Sequence, residues 1–150
     1  MHTLWNPADR AALLRRFEAL SPDAKARWGR MRCDQMLEHM VDGMGLGLGR
    51  FQTRVRKTVA RFWPVNVLFV YVLPWPKGAP GPREILKDGA TKRDWQTNLR
   101  ELRQTYDEFA QRDRKSNDWP AHPLFGKLSG RAWGRLGWRH SDHHLRQFGG

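Results

Sequence analysis

Cysteine is nearly absent from this 150-residue chain: Cys33 stands alone, which excludes an internal disulfide framework and any zinc site built from several thiolates. Nothing therefore calls for an oxidising compartment, and a reducing cytoplasm is the expected location. Long apolar runs are also missing. The longest, Phe62 to Leu73, is about a dozen residues broken by Pro64 and Asn66, short of the roughly 20 needed to span a bilayer. It reads as a core segment, with an interfacial membrane role as the second reading, and no membrane partner is expected. The start, Met1-His2-Thr3-Leu4-Trp5-Asn6-Pro7, has neither a basic leader nor an apolar stretch, so no secretory signal is expected. Acidic residues are few: 15 against 27 basic ones, of which 20 are arginine, for a net charge of +12. That balance excludes an acidic disordered chain and favours a protein tolerant of polyanions.

What is present predicts helices in one domain over residues 1–150. Asn6 before Pro7 reads as a helix start, and Leu13, Leu14, Phe17 and Leu20 mark one face until Ser21-Pro22 stops it. From Asp34 to about Met44, the residues Met36, Leu37, Met40, Val41 and Met44 recur at helical spacing. The alternating Gly43, Gly45, Gly47 and Gly49 either end that helix or serve close packing. Residues 53–73 begin basic and turn apolar and β-branched, and are read as helix; the prolines and glycines of 74–90 predict a long extended loop. A further helix opens near Thr91 and Asp94, read as a capping box, with Trp95, Leu99, Leu102, Tyr106 and Phe109 on one stripe. After a loop over 113–129, a last helix is expected from about Gly130 to Phe148.

The chemistry concentrates in that last helix. At 100° per residue, His140 and His144 share one face between Trp133, Gly137 and Phe148, while Arg135, Arg139, Asp142 and Arg146 lie opposite and His143 sits at the edge. Two imidazoles on an apolar stripe are costly unless their nitrogens are satisfied, and an i,i+4 pair is well spaced to chelate one divalent ion. His39, flanking the methionine stripe of the second helix, is the best third ligand, with Gln35 and Asp42 one turn away as supporting partners. The competing reading makes each histidine a hydrogen-bonded packing residue. His122 reads as structural, His2 as solvent-exposed, His143 as a weaker ligand and Cys33 as inert. Eight tryptophans among twenty arginines raise nucleic-acid binding as the alternative function, although packing is the better use of most of those rings.

Four segments carry a resemblance. Trp28-Gly29-Arg30-Met31 through Gln35-Met36-Leu37-Glu38-His39-Met40-Val41-Asp42, the loop Leu73-Pro74-Trp75-Pro76-Lys77-Gly78, the loop His122-Pro123-Leu124-Phe125-Gly126, and the ending Arg139 to Gly149 together resemble the DinB/YfiT-like metalloenzyme superfamily. More closely, they are similar to one of its small bacterial branches of unknown function. The resemblance covers roughly residues 28 to 149. It implies an all-α, up-down-down-up four-helix bundle, here with an extra helical segment and long Pro-rich loops, often homodimeric. It also implies a divalent metal held by His39, His140 and His144. Zinc, nickel, iron and copper all suit three imidazoles. Characterised members include transferases and isomerases that use a low-molecular-weight thiol such as mycothiol or bacillithiol, so the expected partner is an anionic or electrophilic small molecule. Leu145 stands before Arg146-Gln147 where many relatives have Arg-Gly-Gln directly after the paired histidines.

Overall fold

The computed structural model of the chain describes residues 1–50, 57–77 and 91–150. Helix α1 spans Pro7–Glu18, with the Asn6 Oδ1 accepting the Ala8 N–H at 2.9 Å and proline in the first turn, where its missing N–H costs nothing. Leu13, Leu14 and Phe17 form its buried face. Helix α2 spans Cys33–Gly47 and starts where Gln35 Oε1 accepts the Arg32 N–H at 2.9 Å. It runs past Met44 because its glycines serve packing rather than termination: a Cβ on Gly47 would sit 3.0 Å from the Trp133 ring of the last helix.

Residues 57–77 are helical only in short pieces. A 3-10 turn covers Val59–Arg61, and α3, Val65–Val67, passes directly into a π-helical turn over Leu68–Val72. The first residues of the segment read as helix, 53–56, and most of the 74–90 loop lie outside the described residues. The structure corrects the expectation of a core segment here. Val70 alone is fully buried, Phe69 and Tyr71 are half-buried, and most of the remaining apolar side chains face solvent. The physical reason is that this segment lies across the outside of the last helix, held through its backbone: Arg139 donates to the Phe69 carbonyl at 2.9 Å and to that of Leu73. Only its inner edge finds apolar partners.

Helix α4, Trp95–Gln111, begins at Asp94, whose carboxylate accepts the Thr97 N–H at 2.8 Å and the Thr97 hydroxyl at 2.7 Å. The cap is thus Asp94 with Thr97 rather than Thr91 with Asp94. Leu102, Tyr106 and Phe109 are its buried stripe. Helix α5, Gly130–Phe148, is capped by Ser129 and ends on Gly149 in the left-handed region at φ 91°.

The protein is all-α; among the described residues no strand occurs, and a lone bridge between His122 and Gly126 closes one loop. Helix α2 packs against α4 and α5, and α1 against α4 and α5, so that Phe17, Leu37, Met40, Leu102, Tyr106, Phe109 and Leu145 meet in one apolar centre. Tyr106 donates its hydroxyl to Ser141 Oγ at 2.6 Å, and Ser141 donates onward to the Gly137 carbonyl at 2.8 Å, so both buried hydroxyls are paired. No helix among the described residues is long and apolar enough to cross a membrane.

Candidate metal centre

The packing of α2 on α5 decides where three histidines point. His39 projects from the middle of α2 and is buried; His140 and His144 come one turn apart from α5, half-buried and buried respectively. His39 Nε2 lies 3.1 Å from His140 Nε2, and His140 Nε2 lies 3.0 Å from His144 Nε2. All three ligand atoms fall within 4.8 Å of one another, and this trio could hold a metal ion. The structure thus brings together the three residues that the helical faces single out.

Hydrogen bonding alone accommodates such a cluster poorly. Each neutral imidazole Nε2 is either a donor or an acceptor, with one lone pair or one proton, yet His140 Nε2 faces two like atoms. A single cation satisfies all three lone pairs, and ligand nitrogens around a tetrahedral zinc at about 2.0–2.1 Å stand about 3.3 Å apart, close to the 3.0 and 3.1 Å that separate His140 from its two neighbours. The donor set therefore fits a divalent ion. Burial, followed by the neighbouring histidines, pushes His140 well below the ordinary histidine value. Burial first and His39 second do the same for His144. Both rings are thereby kept in the neutral form that a metal requires.

Orientation of His144 comes from a residue that sequence reasoning did not single out. Gln147 Oε1 lies 2.8 Å from His144 Nδ1, which places the proton on Nδ1 and leaves Nε2 free to ligate. Gln147 Nε2 in turn donates to the Trp28 carbonyl at 2.7 Å. Gly29, at φ 79°, turns the chain there, and a Cβ at that position would come within 3.0 Å of Gln147 Nε2. The available signal was spacing: Gln147 follows His144 by three residues and so shares its face. Gln147→Leu is expected to lower metal affinity by about 10- to 100-fold, measured by competition with a chromophoric chelator. Gln147→Glu, which retains an oxygen toward His144, should lose less.

The neighbours expected to support the trio have other attachments. Gln35 caps α2, and Asp42 accepts from Arg93 Nη2 at 2.8 Å. Glu38 is turned inward, fully buried, but toward α4: its carboxylate receives the Lys92 N–H at 3.1 Å and faces Arg93 Nε at 3.5 Å. His143 is half-buried beside the trio, its ring 5.3 Å from His144, 5.6 Å from Trp28 and 6.0 Å from Trp75. Burial, then Arg146, lowers its pKa. Trp75 also stands 5.5 Å from His140, so the Pro-rich loop delivers an indole to the edge of the cluster. A cleft of about 150 Å³ opens there between Trp75, Trp138, Arg139, His143 and Arg146.

The remaining candidates are structural. His122 Nδ1 accepts the N–H groups of Leu124 and Phe125 at 3.1 and 3.3 Å, and burial lowers its pKa to about 3. His2 pairs with Asp9 at 2.7 Å and stacks on Trp138. Cys33 is buried, which pushes its thiol up to about 12 and makes it a poor nucleophile at neutral pH.

Fold and site together define a helical protein with a buried three-histidine cluster able to take a metal ion. The family described as a protein of unknown function, DUF1569, matches residues 7–149. The chain belongs to that family. No curated protein and no solved structure matches it.

Proposed function

We propose that this protein is a divalent-metal-dependent enzyme whose ion is held by His39, His140 and His144, acting as a thiol-dependent transferase or isomerase or as a hydrolase on an anionic or electrophilic small molecule in the cytoplasm. The proposal includes the DinB/YfiT-like arrangement of α1, α2, α4 and α5 as an up-down-down-up four-helix bundle. The observation that carries it is the convergence of three Nε2 atoms, one already oriented by Gln147. Three imidazoles leave a four-coordinate ion one position for a ligand from outside, the arrangement of catalytic rather than structural sites. When bound, such an ion supplies Lewis acidity that brings the pKa of a water or thiol toward neutrality.

The chain's own groups supply the remainder. No carboxylate belongs to the trio: Glu38 and Asp42 are engaged with Arg93, and Asp142, between the paired histidines, is engaged with Arg16 and Arg146. A proton released by the nucleophile therefore goes to His143, whose neutral, half-buried ring adjoins His144. Trp28 and Trp75 form apolar walls beside it, and Lys77, with its ammonium 5.0 Å from the Trp28 ring, favours an anionic substrate. The test is elemental analysis of protein purified without added metal, followed by turnover assays with a small thiol and an electrophile. One equivalent of divalent metal per chain is expected; protein free of stoichiometric metal that also fails to bind zinc, nickel or iron on addition would sink the proposal.

A further inference from the structure

The apolar segment on the outside of α5 is unlike the rest of the surface. Val59, Phe62, Trp63, Val67, Leu68 and Val72 are all exposed, Val59 at 76% and Trp63 at 80%. Scattered single hydrophobic residues are ordinary on a protein surface, but this many within one short stretch marks an interaction face. These side chains cannot be buried by turning the segment over. Its inner edge is already committed: Val70 is in the core, Phe69 packs 6.3 Å from Phe125, and Trp75 Nε1 donates to the Phe69 carbonyl at 3.0 Å.

Charge says what this face would meet. From Lys57 to Lys77 the sequence has no carboxylate side chain and three lysines or arginines. Among the described residues, Lys57, Arg61 and Lys77 are exposed within the segment. Arg61 also adjoins Gly126, next to the exposed Lys127. Exposed tryptophan, phenylalanine and aliphatic groups with basic residues alongside, Arg61 lying 5.7 Å from the Phe62 ring, are the composition of a bilayer-interface segment, in which indole rings sit at headgroup depth and cations meet anionic lipid.

We propose that the face formed by residues 57–73 docks on an anionic lipid bilayer surface, with Phe62 and Trp63 entering the interface and Lys57 and Arg61 contacting the headgroups. A second copy of this chain is a poorer occupant, because a two-fold contact through this face would bring two cationic surfaces of a +12 protein together. Single-stranded nucleic acid is poorer too, since Val59, Val67, Leu68 and Val72 have no ring on which a base could stack.

The experiment is co-sedimentation of the full chain with phosphatidylcholine vesicles containing about a third phosphatidylserine, against vesicles of phosphatidylcholine alone. Binding to the anionic vesicles is expected to exceed that to neutral ones at least tenfold. It should fall at least tenfold in F62S/W63S and, independently, in K57E/R61E. All four positions are exposed, so the variants should keep the wild-type far-ultraviolet dichroism; should F62S/W63S fail to fold, Val72→Ser with K57E/R61E carries the test. Wild-type protein left in the supernatant, or binding indifferent to these substitutions, overturns the proposal. So does a dimer in sedimentation velocity that F62S/W63S dissociates, or oligonucleotide binding that these changes abolish while vesicle binding persists.

Discussion

His140→Ala is expected to purify with less than a tenth of the metal bound by the wild type. His140 Nε2 lies 3.1 Å from His39 Nε2 and 3.0 Å from His144 Nε2, so its removal takes away the ligand that adjoins both others. Its position half-buried at the edge of the core, rather than at its centre, means the helices themselves should survive. His143→Ala, which removes a neighbouring ring outside the trio, is the control and should retain the metal. Chelator treatment supplies a second readout. A ligand held at 100 times its dissociation constant stabilises the folded state by about 2.7 kcal/mol, so chelation should lower the wild-type melting temperature and leave His140→Ala unmoved. The pH dependence has a defined sign. Because burial lowers the folded-state pKa of His140 and His144, the unfolded chain takes up protons first as pH falls below about 6.5. Metal-free protein should therefore lose stability from there downward, and gain nothing further above it.

Arg93→Leu should be the most destabilising single change away from the site. Arg93 is a hub between α2 and α4: Nη1 reaches Glu101 at 2.6 Å, Nη2 reaches Asp42 at 2.8 Å, and Nε faces the fully buried Glu38 at 3.5 Å. Removing the cation leaves a buried carboxylate with the Lys92 backbone N–H as its remaining described partner. Breaking one side of a buried pair costs about 3–5 kcal/mol. Arg93 is itself partly exposed, so about 3 kcal/mol, or a fall in melting temperature of roughly 10 °C, is the expected result by urea and thermal unfolding. The double change Arg93→Leu with Glu38→Leu should recover most of that loss, since it removes the buried charge along with its partner. A double variant no more stable than Arg93→Leu would show that the guanidinium acts through Asp42 and Glu101 instead.

Much of the helical framework was legible because its signals are local. Asn6-Pro7 places the start of α1, and the span from about Gly130 to Phe148 agrees with α5, since capping and the three-four spacing of a buried stripe depend only on near neighbours. The His140/His144 pair was legible for the same reason. Less accessible was Glu38, which the helical pattern left without a direction: its partner Arg93 is 55 positions away, in the bend that precedes α4. Gln147 went unassigned because a polar residue near a helix end has many uses, and the one it has depends on Trp28 arriving from a distant turn. The apolar run after residue 61 misled most plainly. Hydrophobicity states a cost of exposure, whereas burial depends on whether the long helices leave room, and they leave it for Val70.

By itself, then, the sequence determined an all-α chain with strongly basic character and set two imidazoles one turn apart on the inner face of its final helix. Only the tertiary structure decided that α2 crosses α5 at the height where His39 reaches them, that Gln147 holds one ring in place, and that residues 57–73 remain outside with Val59, Phe62, Trp63 and Val72 in water. Helical periodicity acts over a few residues and is written in adjacent side chains. The meeting of distant faces is a collective outcome of packing volume and polar pairing, which no single stretch of chain contains.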